Sequence, residues 1–309
     1  MISQDTFEKS FRQRLLDLLY GQWVALGAPF SNRVPLAVNE VIDPEALLWC
    51  SLEFLPTEPR LSEVVREWVK RNKDYLVRQR VYKIRDRTDP RAIIWQALDR
   101  RNRAPVFDLG IPSEPCHGLS SPIEVADFAH SIEDIKRQRE YLPSRLGRKG
   151  EGSETLLLKA RDLLGQDIRH FLLVYLLANP HGGKLRDVQA WSGHSYRALS
   201  EAADRWETAD VVSFDSGYCH LIAAEPFQAL LRIGAKRIVL VNWLNVFDTS
   251  VRLLRDLAKA RLKGFAAEST IQESLRQAAS EKLETLSSTF GTARETSVAL
   301  LLKEFPILK

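Results

Sequence analysis

Between residues 60 and 103 the chain carries fourteen Lys or Arg against six acids, a local balance of +8 in a 309-residue protein whose total is only +4. Cations at that density are suited to one kind of chemistry, neutralising a polyanion and releasing its counterions. The cluster has two parts. Arg66, Lys70, Arg71 and Lys73 close a helix that starts near Arg60, and Arg78, Arg80, Lys83, Arg85 and Arg87 follow it. Favourable placement of cations at a helix C-terminus accounts for Lys70 and Arg71, but it leaves five more cations within ten residues unexplained. Trp68, Tyr75 and Tyr82 are interleaved with them, as stacking partners or as core. Arg66, Lys70, Arg78, Arg80 and Lys83 are therefore expected to contact phosphate; the competing reading is a solvated helix surface.

Other chemistries find little support. The six histidines, His117, His130, His170, His181, His194 and His220, form no His-x-x-x-His pattern, and Cys50, Cys116 and Cys219 form no Cys-x-x-Cys, so no metal site is expected. His170 reads as a satisfied residue inside a helix. There is no Gly-x-Ser-x-Gly elbow, dinucleotide fingerprint or Walker loop. Leu146–Gly152 is glycine-rich but lacks the Gly-Lys-Ser/Thr ending and reads as a linker. No catalytic residue and no cofactor is expected, and the protein is not read as an enzyme. An odd number of cysteines at unrelated spacings suits reduced thiols in a cytoplasm. With no secretory leader pattern and no run of about eighteen apolar residues, neither export nor a membrane span is expected.

The elements that would position such contacts are clearest between residues 167 and 223. Gln166 to Ala178 is an amphipathic helix closed by Asn179-Pro180 and Gly182-Gly183. Leu185 to Ala190 is a second, ended by Ser192-Gly193. A third begins at His194-Ser195 and places Tyr196, Leu199, Ala203 and Trp206 at helical spacing, leaving the opposite side free. Two short strands, Asp210–Phe214 and Tyr218–Ile222, follow, joined by Asp215-Ser216-Gly217, whose glycine supplies the positive φ of a tight hairpin.

This stretch resembles the winged helix-turn-helix domains of MarR- and ArsR-type transcriptional regulators. The resemblance implies a third helix that enters the major groove and a hairpin that forms the wing. It carries over to His194, Ser195, Arg197 and Ser200 at the start of the exposed helix side, and to Ser216 and Tyr218 at the wing tip. Lys184 and Arg186 complete the expected DNA-contacting set. The outer positions Arg197, Glu201, Asp204 and Thr208 nearly cancel in charge, and residues 154–235 hold eight basic against ten acidic side chains. A surface so balanced also fits a winged-helix adaptor or antitoxin-like component that docks on a protein partner.

The whole chain reads as mainly α: a basic helical N-terminal domain (1–103), a Pro/Gly-containing connector (104–153), a winged-helix domain (154–235) and a helical tail (236–309). Asp43-Pro44 is a cap and first-turn pair for a helix carrying Leu47, Leu48 and Leu52. Tyr75 to Arg85 fits helix or strand, and Asp89-Pro90 opens another helix. In the tail, Leu240, Leu244, Phe247, Val251, Leu254 and Ala258 alternate spacings of four and three. Leu244, Phe247, Val251 and Leu254 are expected to make a homodimer, with an intramolecular bundle as the alternative. The expected function is a sequence-specific, double-stranded DNA-binding transcriptional regulator acting as a dimer.

Overall fold

Apolar side chains at intervals of three and four make Gln4–Ala25 a helix (α1), which buries Phe11, Leu15, Leu19 and Trp23. The computed structural model describes residues 4–28, 40–55, 57–72, 75–77, 79–81, 83–84, 153–233 and 238–262. Strand β1 (Glu40–Val41) leads into α2 (Pro44–Leu52), where Asp43 accepts from the Ala46 N–H at 3.1 Å and proline takes the first helical position. Cap and proline together satisfy one orphan donor and preset φ, so the helix starts where the sequence reading puts it. Helix α3 (Pro59–Asn72) follows. Buried indoles then tie these helices through their single donors: Trp23 Nε1 donates to Ser51 Oγ (2.9 Å), and Trp68 Nε1 to the Leu26 carbonyl (3.0 Å). Their rings meet edge to face at 5.1 Å, an arrangement that adds to plain burial.

A 3-10 turn (Ser153–Thr155) opens the next run, α4 (Leu156–Leu164), α5 (Arg169–Ala178), β2 (Gly183–Lys184), α6 (Leu185–Ser192), α7 (Tyr196–Thr208), β3 (Val212–Asp215), β4 (Tyr218–Leu221) and α8 (Glu225–Leu231). Strand β5 (Val239–Leu240) and α9 (Trp243–Leu262) end the described chain. Among the described residues the fold is mainly α with two small sheets. One is a parallel pair, β1 with β5, in the register Glu40 to Val239 and Val41 to Leu240. The other is antiparallel in the order β2-β4-β3.

The parallel pair lies where two hydrophobic cores meet. Val41 and Leu240 belong to the core built by α4–α8, whereas Ile42 and Val241, one residue further on, belong to the core built by α1–α3 and α9. Successive residues of extended chain face opposite ways, so the same crossing feeds both cores. Trp243 Nε1, donating to the Val41 carbonyl at 2.7 Å, locks it.

Two expectations are corrected here. Leu240 lies in a strand, and α9 begins only at Trp243, with Asn242 Oδ1 accepting from the Asn245 N–H at 3.1 Å. Leu244, Phe247, Val251 and Leu254, expected at a dimer seam, are instead buried within the chain, where α9 packs on α2 and α1. The intramolecular bundle is what forms, because α2 presents an almost wholly apolar surface that α9 must cover. Within Tyr75 to Arg85, which fits helix or strand by sequence, the backbone is helical at 79–81 and 83–84. This segment buries Leu76, Val81 and Ile84 in the first core. The helices expected at 89–101 and 123–141, the run 146–152, the apolar spacings at 271–286 and 297–305, and the side chains of Lys70, Arg78 and Ala258 lie outside the described residues.

Candidate nucleic-acid interface

Helix α5 is the pillar of the second core, with every side chain from His170 to Leu177 buried. Asn179 ends it, its Nδ2 donating 2.8 Å to the Tyr175 carbonyl. The chain turns at Gly182 (φ +83°) to enter β2. A Cβ on Gly183 would lie 2.6 Å from Tyr175 Oη, so only glycine lets β2 cross Tyr175 this closely. Helix α6 stops at Gly193 in the left-handed conformation (φ +73°), the αL ending that glycine favours. Ser195 then caps α7, accepting from the Ala198 N–H.

Helix α7 buries Leu199, Ala202, Ala203 and Trp206 and exposes the other side, as its 3.6-residue period requires. The hairpin after it turns on Ser216 and Gly217, both at positive φ (+50° and +79°), which are the signs of a type I′ turn. β3 and β4 pair from Val212–Leu221 to Asp215–Tyr218. The sequence reading has two strands here. The third, β2, pairs Gly183 with Cys219 and Lys184 with Tyr218, and at two residues it is too short to show an alternating pattern.

The hairpin tip rests on the beginnings of α6 and α7. The Leu185 N–H donates to the Gly217 carbonyl at 2.9 Å, and a Cβ on Gly217 would come within 2.9 Å of Tyr196 Oη. The hairpin tip and the first turns of α6 and α7 thus adjoin in one short ridge, and Lys184, Arg186, Ser195, Tyr196, Arg197, Ser216 and Tyr218 on these elements are exposed. Ser200 is half-buried. Tyr218 Oη donates to the His181 carbonyl at 2.8 Å. Arg197 pairs with Glu201 at 2.8 Å, but its side chain is 90% exposed; a surface pair of that kind adds little to stability and yields readily to a phosphate. Beside the ridge is an open depression of about 440 Å³ lined by Pro180, His181, Ser213, Asp215, Tyr218 and His220. Among the described residues no group of three or more His, Cys, Asp or Glu is arranged to hold a metal ion.

His194 and Arg80, expected to contact DNA, face inward. His194 packs on the Phe171 ring at 5.0 Å. Its pKa is held at about 4, first by burial and then by the charges of Arg80 and Lys83, against a smaller opposing effect of Asp43. Arg80 is 4% exposed and cannot reach a phosphate. Its guanidinium forks onto both Asp43 oxygens, donates to Glu45 at 2.8 Å, donates through Nε to the Ser192 carbonyl at 3.0 Å, and lies 4.7 Å over the Phe171 ring. Arg66 is half-buried, while Lys83 is exposed.

Glu45 is shared. Arg161 grips it with two 2.8 Å bonds, the Val77 N–H donates to it at 2.8 Å, and Arg161 Nη1 also donates to the Tyr75 carbonyl. Two carboxylates and two guanidiniums thus balance in a buried cluster, the condition under which buried charge is tolerated. Burial alone would raise the Asp43 carboxyl, but Arg80 and the Ala46 N–H outweigh it and hold it below its ordinary value. Burial works against the Arg80 charge too, yet Asp43 and Glu45 keep it more firmly protonated than usual. His170 Nε2 accepts from Arg161 Nε at 3.1 Å, which places the imidazole proton on Nδ1. Burial, then Arg161, His194 and Arg80, push its pKa well down.

Sequence reasoning misses this cluster. The available signal was charge on apolar helix faces: Glu45 among Pro44, Ala46, Leu47 and Leu48, and Arg161 after Leu156-Leu-Leu158. Such residues are rarely left inside unless paired.

The chain matches no protein-family model, no curated protein and no solved structure. Among the described residues, no helix is long and apolar enough to cross a membrane.

Proposed function

We propose that residues 169–221 form a winged helix that binds double-stranded DNA, and that the protein is a sequence-specific transcriptional regulator. The observation that carries this reading is the ridge where the exposed first turn of α7 meets the hairpin tip, with Ser195, Arg197, Lys184, Arg186, Ser216 and Tyr218 facing solvent together. The order α5-β2-α6-α7-β3-β4, with β4 central in the small sheet, supports it, because that arrangement presents the third helix of the unit to a major groove and a hairpin beside it. Function follows from such a site rather than from the fold alone. Lys83 and the ridge supply the phosphate contacts; Arg80 and His194 are withdrawn from that role. The experiment is fluorescence anisotropy of the full chain against duplexes from the region upstream of its own gene, with a scrambled duplex as control. Equal affinity for both at every salt concentration removes the sequence-specific reading.

The second reading, docking on a protein, is favoured by one observation: Glu201, Asp204, Glu207, Asp210 and Asp215 are all exposed on α7 or its flanks, and Glu201 already occupies Arg197. In that case no duplex binds at physiological salt.

A further inference from the structure

Arg80 touches both cores at once. Its Nη atoms hold Asp43 and Glu45 at the start of α2, and its Nε holds the Ser192 carbonyl, one residue before the turn that launches α7. The segment that carries it is fastened at two more points, the Tyr75 carbonyl by Arg161 and the Val77 N–H by Glu45. The backbone is helical at 79–81 and 83–84, and Lys83, three residues after Arg80, is exposed. Its nearness is also felt electrostatically, since its charge helps depress His194. A planar guanidinium bound along several edges fixes direction as well as distance, which an ammonium does not.

We propose that Arg80 is a positioning residue that fixes the basic segment against the α6–α7 turn, so that Lys83 and the first turn of α7 engage one and the same duplex. The proposal rests on the reading of α7 as a DNA-contacting helix. On it, the basic N-terminal segment and the ridge are parts of one surface: Lys83 neutralises a phosphate, Arg197 and Ser195 lie further along the groove, and neither contact works at full strength unless Arg80 holds the angle between them. Net stability does not explain such a cluster, because a buried ion network contributes little over an apolar replacement. Orientation does.

The variant to make in the full chain is Arg80→Met with Asp43→Asn. It removes one charge of each sign, leaves Glu45 and Arg161 paired, and keeps an N-cap at residue 43. Arg80→Lys, which retains the charge but not the fork, is the second variant should the first not fold. Three measurements decide. Lys83→Ala alone should flatten the plot of log affinity against log salt by about 0.9. In the Arg80 variant the specific duplex should bind about three- to thirtyfold more weakly, and adding Lys83→Ala should then change the slope no further. Amide hydrogen exchange at Gly193, His194 and Ala198 should quicken about tenfold, with the α1 and α9 amides unchanged. An additive Lys83 effect, or unaltered exchange at the α6–α7 turn, overturns the positioning role. If the unmodified protein binds no duplex, the DNA reading fails separately. The exchange measurement then stands alone: quickened exchange supports Arg80 as the positioner of α7, and unchanged exchange overturns it.

Discussion

Arg80, Lys83 and Arg197 are all cations within or beside the proposed interface, and their surroundings give them different work. Arg80 is enclosed by two carboxylates, a backbone carbonyl and an aromatic ring. Truncating it leaves Asp43 buried without its counter-ion, so Arg80→Ala should cost about 3–5 kcal/mol in urea unfolding. Lys83→Ala, at an exposed site, should stay within about 0.5 kcal/mol of the unmodified protein. Equal destabilisation by the two would mean that the cluster is not as buried as the structure has it. Arg197 is different again: its partner Glu201 is exposed, so the pair contributes little to folding, but the guanidinium fork is free to turn to a base edge or a phosphate. Arg197→Ala should weaken specific duplex binding by about 1–3 kcal/mol while leaving the unfolding midpoint unchanged. Undiminished affinity in that folded variant would move α7 to the protein-docking reading. From sequence these cations look alike, because charge and spacing are local and what separates them is their surroundings in the fold: Arg80 is held by Asp43, thirty-seven residues away, while Lys83 is exposed.

At the scale of elements, what could be read and what could not divides by length. The inward stripe of α7 at Leu199, Ala203 and Trp206 was legible because thirteen residues give several turns of period, whereas Tyr196, at the same spacing in the first turn, is exposed beside the hairpin. The Asp43-Pro44 start of α2 and the Ser216-Gly217 turn were legible because each is a local backbone requirement. Strands β1, β2 and β5 have two residues each and carry no period at all. The glycine pair 182–183 was legible as a stop for α5, but its second task was not: Gly182 is at φ +83°, and a Cβ there would lie 2.5 Å from the Cys219 carbonyl. Gly182→Ala should therefore push β2 off β4 and destabilise the protein by about 1–3 kcal/mol, measured by thermal unfolding; an unchanged melting temperature would show that the crossing has slack. The apolar stripe of α9 is legible but its neighbours, α2 and α1, are not, because periodicity reports that a face is buried and not what buries it. Phe247 is 0% exposed in the first core, so Phe247→Ala should cost about 3–5 kcal/mol without lowering the molecular mass measured by light scattering. A halved mass in a folded variant would restore the intermolecular seam.

Across the whole molecule, the two cores share a crossing at β1–β5 and a buried charged cluster flanked by two imidazoles, and the burial of those imidazoles sets the response to acid. His170 and His194 are neutral in the fold, His170 well below 6.5 and His194 at about 4, whereas in the unfolded chain each takes its ordinary value of 6.5. Between those values the unfolded chain binds protons that the folded one refuses, so stability must rise with pH through the window and fall as pH drops from about 6.5 toward 4. Asp43, whose folded value lies below 3.8, adds a loss of the same sign at lower pH. The His194 part alone amounts to about 2–3 kcal/mol over the window, allowing for its partial exposure. Urea unfolding at pH 7.5 and pH 5 should therefore show a clear loss at pH 5, and His194→Gln, which cannot take up a proton, should remove part of that loss while leaving the His170 part. Because both imidazoles pack on Phe171, beside the Ser192 carbonyl that Arg80 holds, the same protonation should loosen the α6–α7 turn first. Equal stability at the two pH values would mean that neither imidazole is shielded, and the inward packing of His194 against Phe171 would have to be given up.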